Sequence, residues 1–121
     1  MCGIVGIVSS NKKELSKIDS ATRTLSKRGP DNQSSESFDR ISLGHARLSI
    51  IDTTEGANQP FTDSSERYVI VFNGEIYNYL ELKEALLADG ISFTTNSDTE
   101  VLLYMYIKYK TFLINLGIKL L

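Results

Sequence analysis

The sequence predicts an α+β fold, because strand-like and helix-like patterns both occur along its 121 residues. Runs of β-branched and apolar residues at 3–8 and 67–72 are typical of strands. Segments with helical spacing lie at 12–27 and 79–89, and a third begins at residue 97. A chain of this length is one domain or part of one.

The predicted elements begin with a strand at 3–8, whose apolar residues point to both sides and so predict burial between two layers. Such a strand would hold Cys2 rigidly, although chain ends usually fray. The segment 12–27 has helical spacing and two possible N-caps, Ser10 and Asn11. The turn-forming segment 28–31, RGPD, then ends the helix, and a polar stretch follows at 31–37.

The middle of the chain is predicted to contain strands and a long loop. One or two strands are predicted by the apolar residues Phe38, Ile41 and Leu43 and by the segment 46–51. A loop is expected at 52–65. The apolar segment 67–72 predicts a further strand, which ends at Asn73-Gly74.

Capping patterns predict the two later helices. Asn78 with Glu81 resembles a capping box before a helix at 79–89, and Gly90 suits the left-handed position after it. Ser97 with Glu100 repeats the signature before the third helix. The last eleven residues, 111–121, include seven apolar side chains and would need a covering layer.

Composition excludes several classes of protein. The net charge is −2 and no segment gathers basic residues, so nucleic acid is not an expected partner. One Cys and one His cannot form an internal disulfide or a Cys/His zinc cage, and no metal site is expected. No apolar run approaches the ~18 residues of a membrane span, and the N-terminus lacks the basic segment of a signal peptide. We therefore expect a cytoplasmic protein with no membrane partner.

Cys2 is the main catalytic candidate. A lone Cys is most often a buried structural residue. Removal of Met1 would, however, give Cys2 a free α-amino group with a pKa near 7.7–8.0, which can serve as base for its own thiol. Its position directly before a buried strand favours this N-terminal nucleophile.

Asn73 and Gly74 are candidates for an oxyanion hole, with one side-chain donor and one main-chain donor. Asn-Gly is also a strong hairpin signal. No partner strand follows, since residues 75–78 lead into a helix, and this favours a loop at the site.

Three further residues have open interpretations. Arg47 lies in an apolar stretch, so it either points to solvent or binds a carboxylate. Asp98 in a first helical turn either interacts with the helix dipole or receives an ammonium group. His45 is interpreted as a structural histidine outside the catalytic set.

An ordered set of motifs resembles a known family. They are MCGIVG at 1–6, RGPD at 28–31, GHARLSIID at 44–52, QP at 59–60, FNGEIYN at 72–78 and SDTE at 97–100. Together they resemble the N-terminal glutaminase domain of glutamine-hydrolysing asparagine synthetase, a class II glutamine amidotransferase, over residues 1 to about 116.

The resemblance implies a fold, a reaction and a site. The fold would be a four-layer α/β/β/α sandwich of the N-terminal-nucleophile hydrolase type. Cys2 would attack the side-chain carboxamide of glutamine, and Asn73 with Gly74 would form the oxyanion hole. Arg47 would bind the substrate carboxylate, while Glu75 and Asp98 would position its amide and ammonium ends. The backbone of Leu48, Ser49, Ile50 and Ile51 would line the pocket.

The chain also departs from the family. We expect an incomplete sandwich and a tail at 117–121 that differs from the family, which an internal deletion, a frameshift or a premature stop would explain. We also expect the synthetase domain to be missing or separate. No cofactor is expected in this chain, since ATP and Mg would bind to the synthetase domain. The ammonia would be used there to amidate aspartate or an acceptor in polysaccharide biosynthesis. Expected partners are a separate synthetase subunit or a second copy bound through the apolar tail. The alternative is a truncated, non-catalytic remnant or a partner-dependent binding module.

Overall fold

A computed structural model describes residues 2–49 and 53–110, which form two compact units. The first unit includes the described residues 2–49, 58–60 and 71–73, and the second includes 53–57, 61–70 and 74–110. Antiparallel strands and helices occur in both units, which confirms the predicted α+β class. The four-layer sandwich stays a prediction. Within the described ranges no helix is long and apolar enough to span a membrane.

The first unit is built on a three-stranded antiparallel sheet. Its strands are β1 (Gly3–Val8), β2 (Asn32–Ser37) and β3 (Ile41–Arg47), in the spatial order β1-β3-β2. The register pairs His45 of β3 with Ile4 of β1 on one side and with Ser34 of β2 on the other. The central strand β3 is therefore held by hydrogen-bond ladders along both edges.

The strand β2 replaces the polar stretch expected at 31–37. Its sequence, NQSSES, lacks the apolar alternation by which strands are recognised. As an edge strand it needs only one partner, and β3 supplies every ladder bond that it makes within the sheet. Tertiary pairing therefore outweighs the weak strand propensity of serine, asparagine and glutamate.

Two short helices pack beside the sheet where one helix is expected at 12–27. Helix α1 (Lys12–Leu15) is followed by α2 (Ile18–Arg23), and the backbone between them tightens to an i−3 bond from the Lys17 N–H to the Glu14 carbonyl. The predicted single helix is wrong for this reason. Of the two candidate N-caps, Asn11 is used, since its side chain accepts the Lys13 N–H.

Strand β1 is covered on one face only. Helix α2 approaches the sheet so closely that a Cβ on Gly44 would overlap the hydroxyl of Thr22. On the opposite face Ile4 is 47% exposed and Val8 is 79% exposed. The expectation of burial on both faces is wrong for the described residues, because β1 is an edge strand with a helical layer on one side.

The second unit contains two longer helices and a small sheet. Helix α3 (Tyr79–Ala88) packs on α4 (Asp98–Tyr109) around a core of Leu86, Val101 and Met105. Strand β4 (Phe61–Thr62) pairs with β5 (Val69–Ile70), so only part of the strand expected at 67–72 forms. The loop expected at 52–65 contains β4 and a 3-10 turn at Glu55–Ala57.

The helix ends confirm most of the capping predictions. Gly90 has φ +85, and the bonds from Gly90 N–H to the Leu87 carbonyl and from Ile91 N–H to the Leu86 carbonyl form a Schellman motif. Asn78 occupies the N-cap position of α3 but its side chain makes no capping bond, so that capping box is wrong. The predictions for Ile50, Ile51 and the apolar tail at 111–121 lie outside the described residues.

Candidate active site

Cys2 contacts the main chain directly after the last residue of β3. Its Sγ lies 3.3 Å from the Leu48 nitrogen, which donates to it, and 3.6 Å from the Leu48 carbonyl oxygen. The guanidinium of Arg28 donates to the Cys2 carbonyl over 3.2 Å. The thiol and the peptide of Cys2 are therefore both fixed, as its place before β1 predicts.

The RGPD segment does more than end a helix. The Asp31 N–H donates to the Arg47 carbonyl at 3.0 Å, and the Asp31 carboxylate accepts the Ser49 N–H at 2.7 Å. Gly29 is buried against β3, where a Cβ would overlap the backbone of Ala46 and Arg47. This segment therefore fixes the end of β3 that contacts Cys2.

Arg47 is buried, with 7% of its surface exposed, and its guanidinium donates to the Asn58 side-chain oxygen at 2.6 Å. The solvent-facing interpretation is therefore wrong. A guanidinium can bind a carboxylate through two parallel hydrogen bonds, so burial of Arg47 is compatible with the carboxylate-binding interpretation.

Two side chains bind the peptide groups of Phe72, next to Asn73. The Phe72 N–H donates to Gln59 Oε1 at 2.5 Å, and His45 Nε2 lies 3.3 Å from the Phe72 carbonyl oxygen. Strand β5 ends before Asn73-Gly74, at Ile70, and the next element after them is helix α3, so the hairpin interpretation is wrong. Burial lowers the pKa of His45 and the Arg47 charge adds to this, whereas the Phe72 carbonyl acts in the opposite direction.

Asp98 begins α4 in the second unit and is 6% exposed. Its carboxylate accepts the Ile76 N–H at 3.0 Å. Burial raises the pKa of Asp98 and the negative charge of Glu75 acts in the same direction, against the N–H donors of Ile76 and Thr99. A buried carboxylate with a second acidic group in the same unit would gain from an ammonium ligand.

The start of α4 is fixed by the fully buried carboxylate of Glu100. It accepts the main-chain N–H groups of Thr94 and Thr95 at 2.9 and 2.7 Å, and both threonine hydroxyls as well. Ser97 caps the helix as predicted, since its hydroxyl accepts the Glu100 N–H at 3.2 Å. Glu100 itself bonds the preceding loop instead of Ser97, which differs from a reciprocal capping box.

The predicted site residues fall into two groups. Cys2, Arg47, Leu48, Ser49 and Asn73 belong to the first unit, and Gly74, Glu75 and Asp98 belong to the second. Sequence reasoning missed several residues that hydrogen-bond to the first group or to the backbone next to it: Arg28, Asp31, Asn58 and Gln59. All but Asn58 lie in the motifs quoted above. Their place in those motifs is the sequence signal that could have identified them. His45 is buried against the Phe72 main chain, in agreement with its interpretation as a structural histidine. Within 2–49 and 53–110, no group of three or more His, Cys, Asp or Glu is placed to hold a metal ion.

The ordered motifs agree with comparison to known protein families. The model of the glutamine amidotransferase domain matches residues 1–115. The chain belongs to this family.

Three relatives from different organisms are between 38% and 44% identical to the chain. The chain is 44% identical over 117 residues to asparagine synthetase [glutamine-hydrolyzing] 1 of Bacillus subtilis, covering 91% of the chain and 18% of the relative. It is 39% identical over 112 residues to the Zea mays asparagine synthetase, covering 90% and 19%. It is 38% identical over 100 residues to amidase chry2 of Gibberella zeae, covering 81% and 15%. The chain thus spans less than a fifth of the length of these relatives.

Proposed function

We propose that the chain is the glutamine-hydrolysing unit of an asparagine synthetase-like enzyme. Its Cys2 Sγ would bond to the side-chain carbonyl carbon of glutamine, and the thiol proton would pass to the Cys2 α-amine. The resulting tetrahedral intermediate would expel ammonia, which takes that proton and leaves a glutamyl thioester. Water would then cleave the thioester, giving glutamate and the free thiol.

The observation that carries this proposal is the fixed position of Cys2. Its sulfur contacts the Leu48 backbone, one residue beyond the buried Arg47. A nucleophile fixed at the residue that follows a buried arginine suits an amino acid substrate, because a guanidinium binds a carboxylate with two parallel hydrogen bonds. Asparagine synthetases among the relatives are named as glutamine-hydrolysing, which supports glutamine as that amino acid.

The remaining groups supply complementary charge and hydrogen-bond donors. Asp98, with a carboxylate whose burial disfavours its charge, would bind the substrate ammonium, and Glu75 would position the substrate amide. Asn73 and the Gly74 N–H would donate to the oxyanion of the tetrahedral intermediate. The four-layer sandwich would place these donors, and Leu48 to Ile51 would line the pocket.

The ammonia would pass to a separate synthetase domain or subunit, where ATP and Mg would support amidation of aspartate. The relatives named asparagine synthetase support aspartate as the acceptor. No cofactor is needed for thioester hydrolysis itself, which uses only the thiol, an amine and water. We place the protein in the cytoplasm, where a free thiol such as Cys2 stays reduced.

The test is covalent labelling of Cys2 by a glutamine-like diazoketone, together with glutamate release from glutamine. We expect one adduct on Cys2 in protein whose intact mass shows that Met1 has been removed. Excess glutamine should slow the labelling. A sample that melts cooperatively and lacks Met1, yet forms no adduct and releases no glutamate, would show that the non-catalytic alternative is right.

Replacing Asp98 with asparagine separates binding from stability. Asn keeps an oxygen that can accept the Ile76 N–H but removes the charge that would pair with the ammonium. We expect KM for glutamine to rise roughly 10- to 100-fold with little change in kcat. Because the folded protein raises the pKa of Asp98, its charge opposes folding above that pKa, and the Asn variant should melt at the same or a higher temperature.

The pH dependence sharpens the Asp98 test. Protonated Asp98 is neutral like Asn, so kcat/KM of the two proteins should converge as pH falls through the raised pKa, above the ordinary carboxyl value of 3.8. The control is Asp89→Asn, which removes a surface carboxylate paired with Lys108 in the same unit. A KM that is equally affected by both substitutions would refute the assignment of the ammonium site to Asp98.

A further inference from the structure

Two motif residues with no role in the proposed reaction bind the same stretch of backbone. Gln59 Oε1 accepts the Phe72 N–H at 2.5 Å, and His45 Nε2 lies 3.3 Å from the Phe72 carbonyl oxygen. The N–H belongs to the peptide plane before Phe72, and the carbonyl belongs to the plane that joins Phe72 to Asn73. Both planes that lead into Asn73 are thus held by side chains.

The two side chains are themselves anchored to the sheet. His45 is fully buried on the central strand β3, with ladder partners on both sides. Gln59 is 7% exposed, and its main-chain carbonyl oxygen accepts a hydrogen bond from the Ser34 hydroxyl. Ser34 is the cross-strand partner of His45. Both side chains that hydrogen-bond to Phe72 are therefore attached to the three-stranded sheet of the first unit.

The geometry also fixes the proton on the His45 ring. A carbonyl oxygen can only accept a hydrogen bond, so Nε2 must carry the proton that faces Phe72. Nδ1 is buried and has no hydrogen-bond partner among the described residues. The ring can therefore act as a neutral donor to Phe72, and no second hydrogen bond from the part of the chain that the structure describes competes for its orientation.

From these contacts, and resting on the proposed glutaminase activity, we propose that His45 and Gln59 are positioning residues that set the oxyanion donor Asn73. In this role they act through the main chain of Phe72. The neighbour of Gln59, Asn58, accepts from Arg47 at 2.6 Å. The segment 58–60 therefore links the arginine that would bind the substrate carboxylate to the backbone that carries the oxyanion donor.

The test compares His45→Leu with His45→Gln. The Gln amide nitrogen lies about where Nε2 does and can donate to Phe72, whereas Leu cannot. We expect His45→Leu to lower kcat roughly 30- to 100-fold with KM within about 3-fold of wild type, because only the transition state needs the donor. His45→Gln should restore kcat to within roughly 5-fold. Gln59→Met, which removes the acceptor of the Phe72 N–H, should repeat the kcat loss.

A double variant distinguishes positioning from general damage. If His45 acts through Asn73, the variant His45→Leu with Asn73→Ala should be no slower than Asn73→Ala alone. Losses that multiply, a defect confined to KM, or a His45→Gln variant as slow as His45→Leu would each overturn the proposal. Should His45→Leu not melt cooperatively, His45→Gln and Gln59→Met decide the same question.

A readout that needs no catalysis keeps this inference separate from the proposed function. Wild-type protein that releases no glutamate would refute the glutaminase proposal and leave the backbone question to amide hydrogen exchange. In Gln59→Met the Phe72 amide should then exchange at least roughly 10-fold faster, while amides in the β1–β3 ladder keep their rates. An unchanged Phe72 rate would overturn the positioning role of Gln59.

Discussion

Replacing Cys2 with alanine should abolish glutamate release, lowering the rate by at least roughly 10⁴-fold to that of buffer. The proposed thioester cannot form without the sulfur, and no second cysteine exists in the chain. The measurement is glutamate release by the purified chain at saturating glutamine, with diazoketone labelling followed by mass spectrometry. Both signals should disappear together.

The fold should survive this substitution, which makes the loss specific. Among the described residues the Sγ hydrogen-bonds to the Leu48 backbone, and loss of such a bond costs about 1 kcal/mol. Circular dichroism should be unchanged and the melting transition should remain cooperative. Cys2→Ser is the matched control for shape, since it replaces the thiol near Leu48 with a hydroxyl. Equal glutamate release by wild type and Cys2→Ala would assign the activity to a contaminant.

Replacing Gly29 with alanine should lower the free energy of unfolding by at least about 3 kcal/mol. The added Cβ would overlap the carbonyl group of Ala46 and the nitrogen of Arg47, and backbone of a central strand has little room to yield. Movement there would also displace Asp31, which bonds both Arg47 and Ser49. Chemical denaturation followed by circular dichroism measures the change.

Gly6→Ala is the control on the same sheet. Its Cβ would meet the Leu43 side chain at 3.5 Å, an ordinary contact distance. We therefore expect its stability to stay within about 1 kcal/mol of wild type or to rise slightly, since alanine restricts the unfolded chain. Similar losses in Gly29→Ala and Gly6→Ala would contradict the close approach of the RGPD segment to β3.

Local signals predicted the helices and turns of the second unit well. The left-handed Gly90 and the Ser97 cap depend on residues within one turn of each other, so sequence alone contains the information. The same reasoning failed at Asn78, where a capping pattern is present without the bond. A local pattern shows that a bond can form but not whether another partner competes for the same group.

Strand predictions were less accurate because a strand depends on its neighbours. The polar segment 32–37 becomes β2 because β3 is available beside it, and only Val69–Ile70 of the apolar segment 67–72 finds a ladder. The apolar pattern of 3–8 gave the right strand but the wrong environment, since one face of β1 is exposed. Propensity therefore identifies a segment that can pair, and the tertiary structure decides whether it does.

The sequence by itself determined the α+β class and the chemical identity of the candidate site: a single thiol at position 2, one arginine in an apolar strand, and an acid at a helix start. Only the tertiary structure decided that Arg47 is buried against Asn58 and that His45 and Gln59 hold Phe72. The amino-acid sequence specifies which residue types are present. Hydrogen-bond partners 11 to 27 positions apart are set by strand pairing and burial, which no local pattern records.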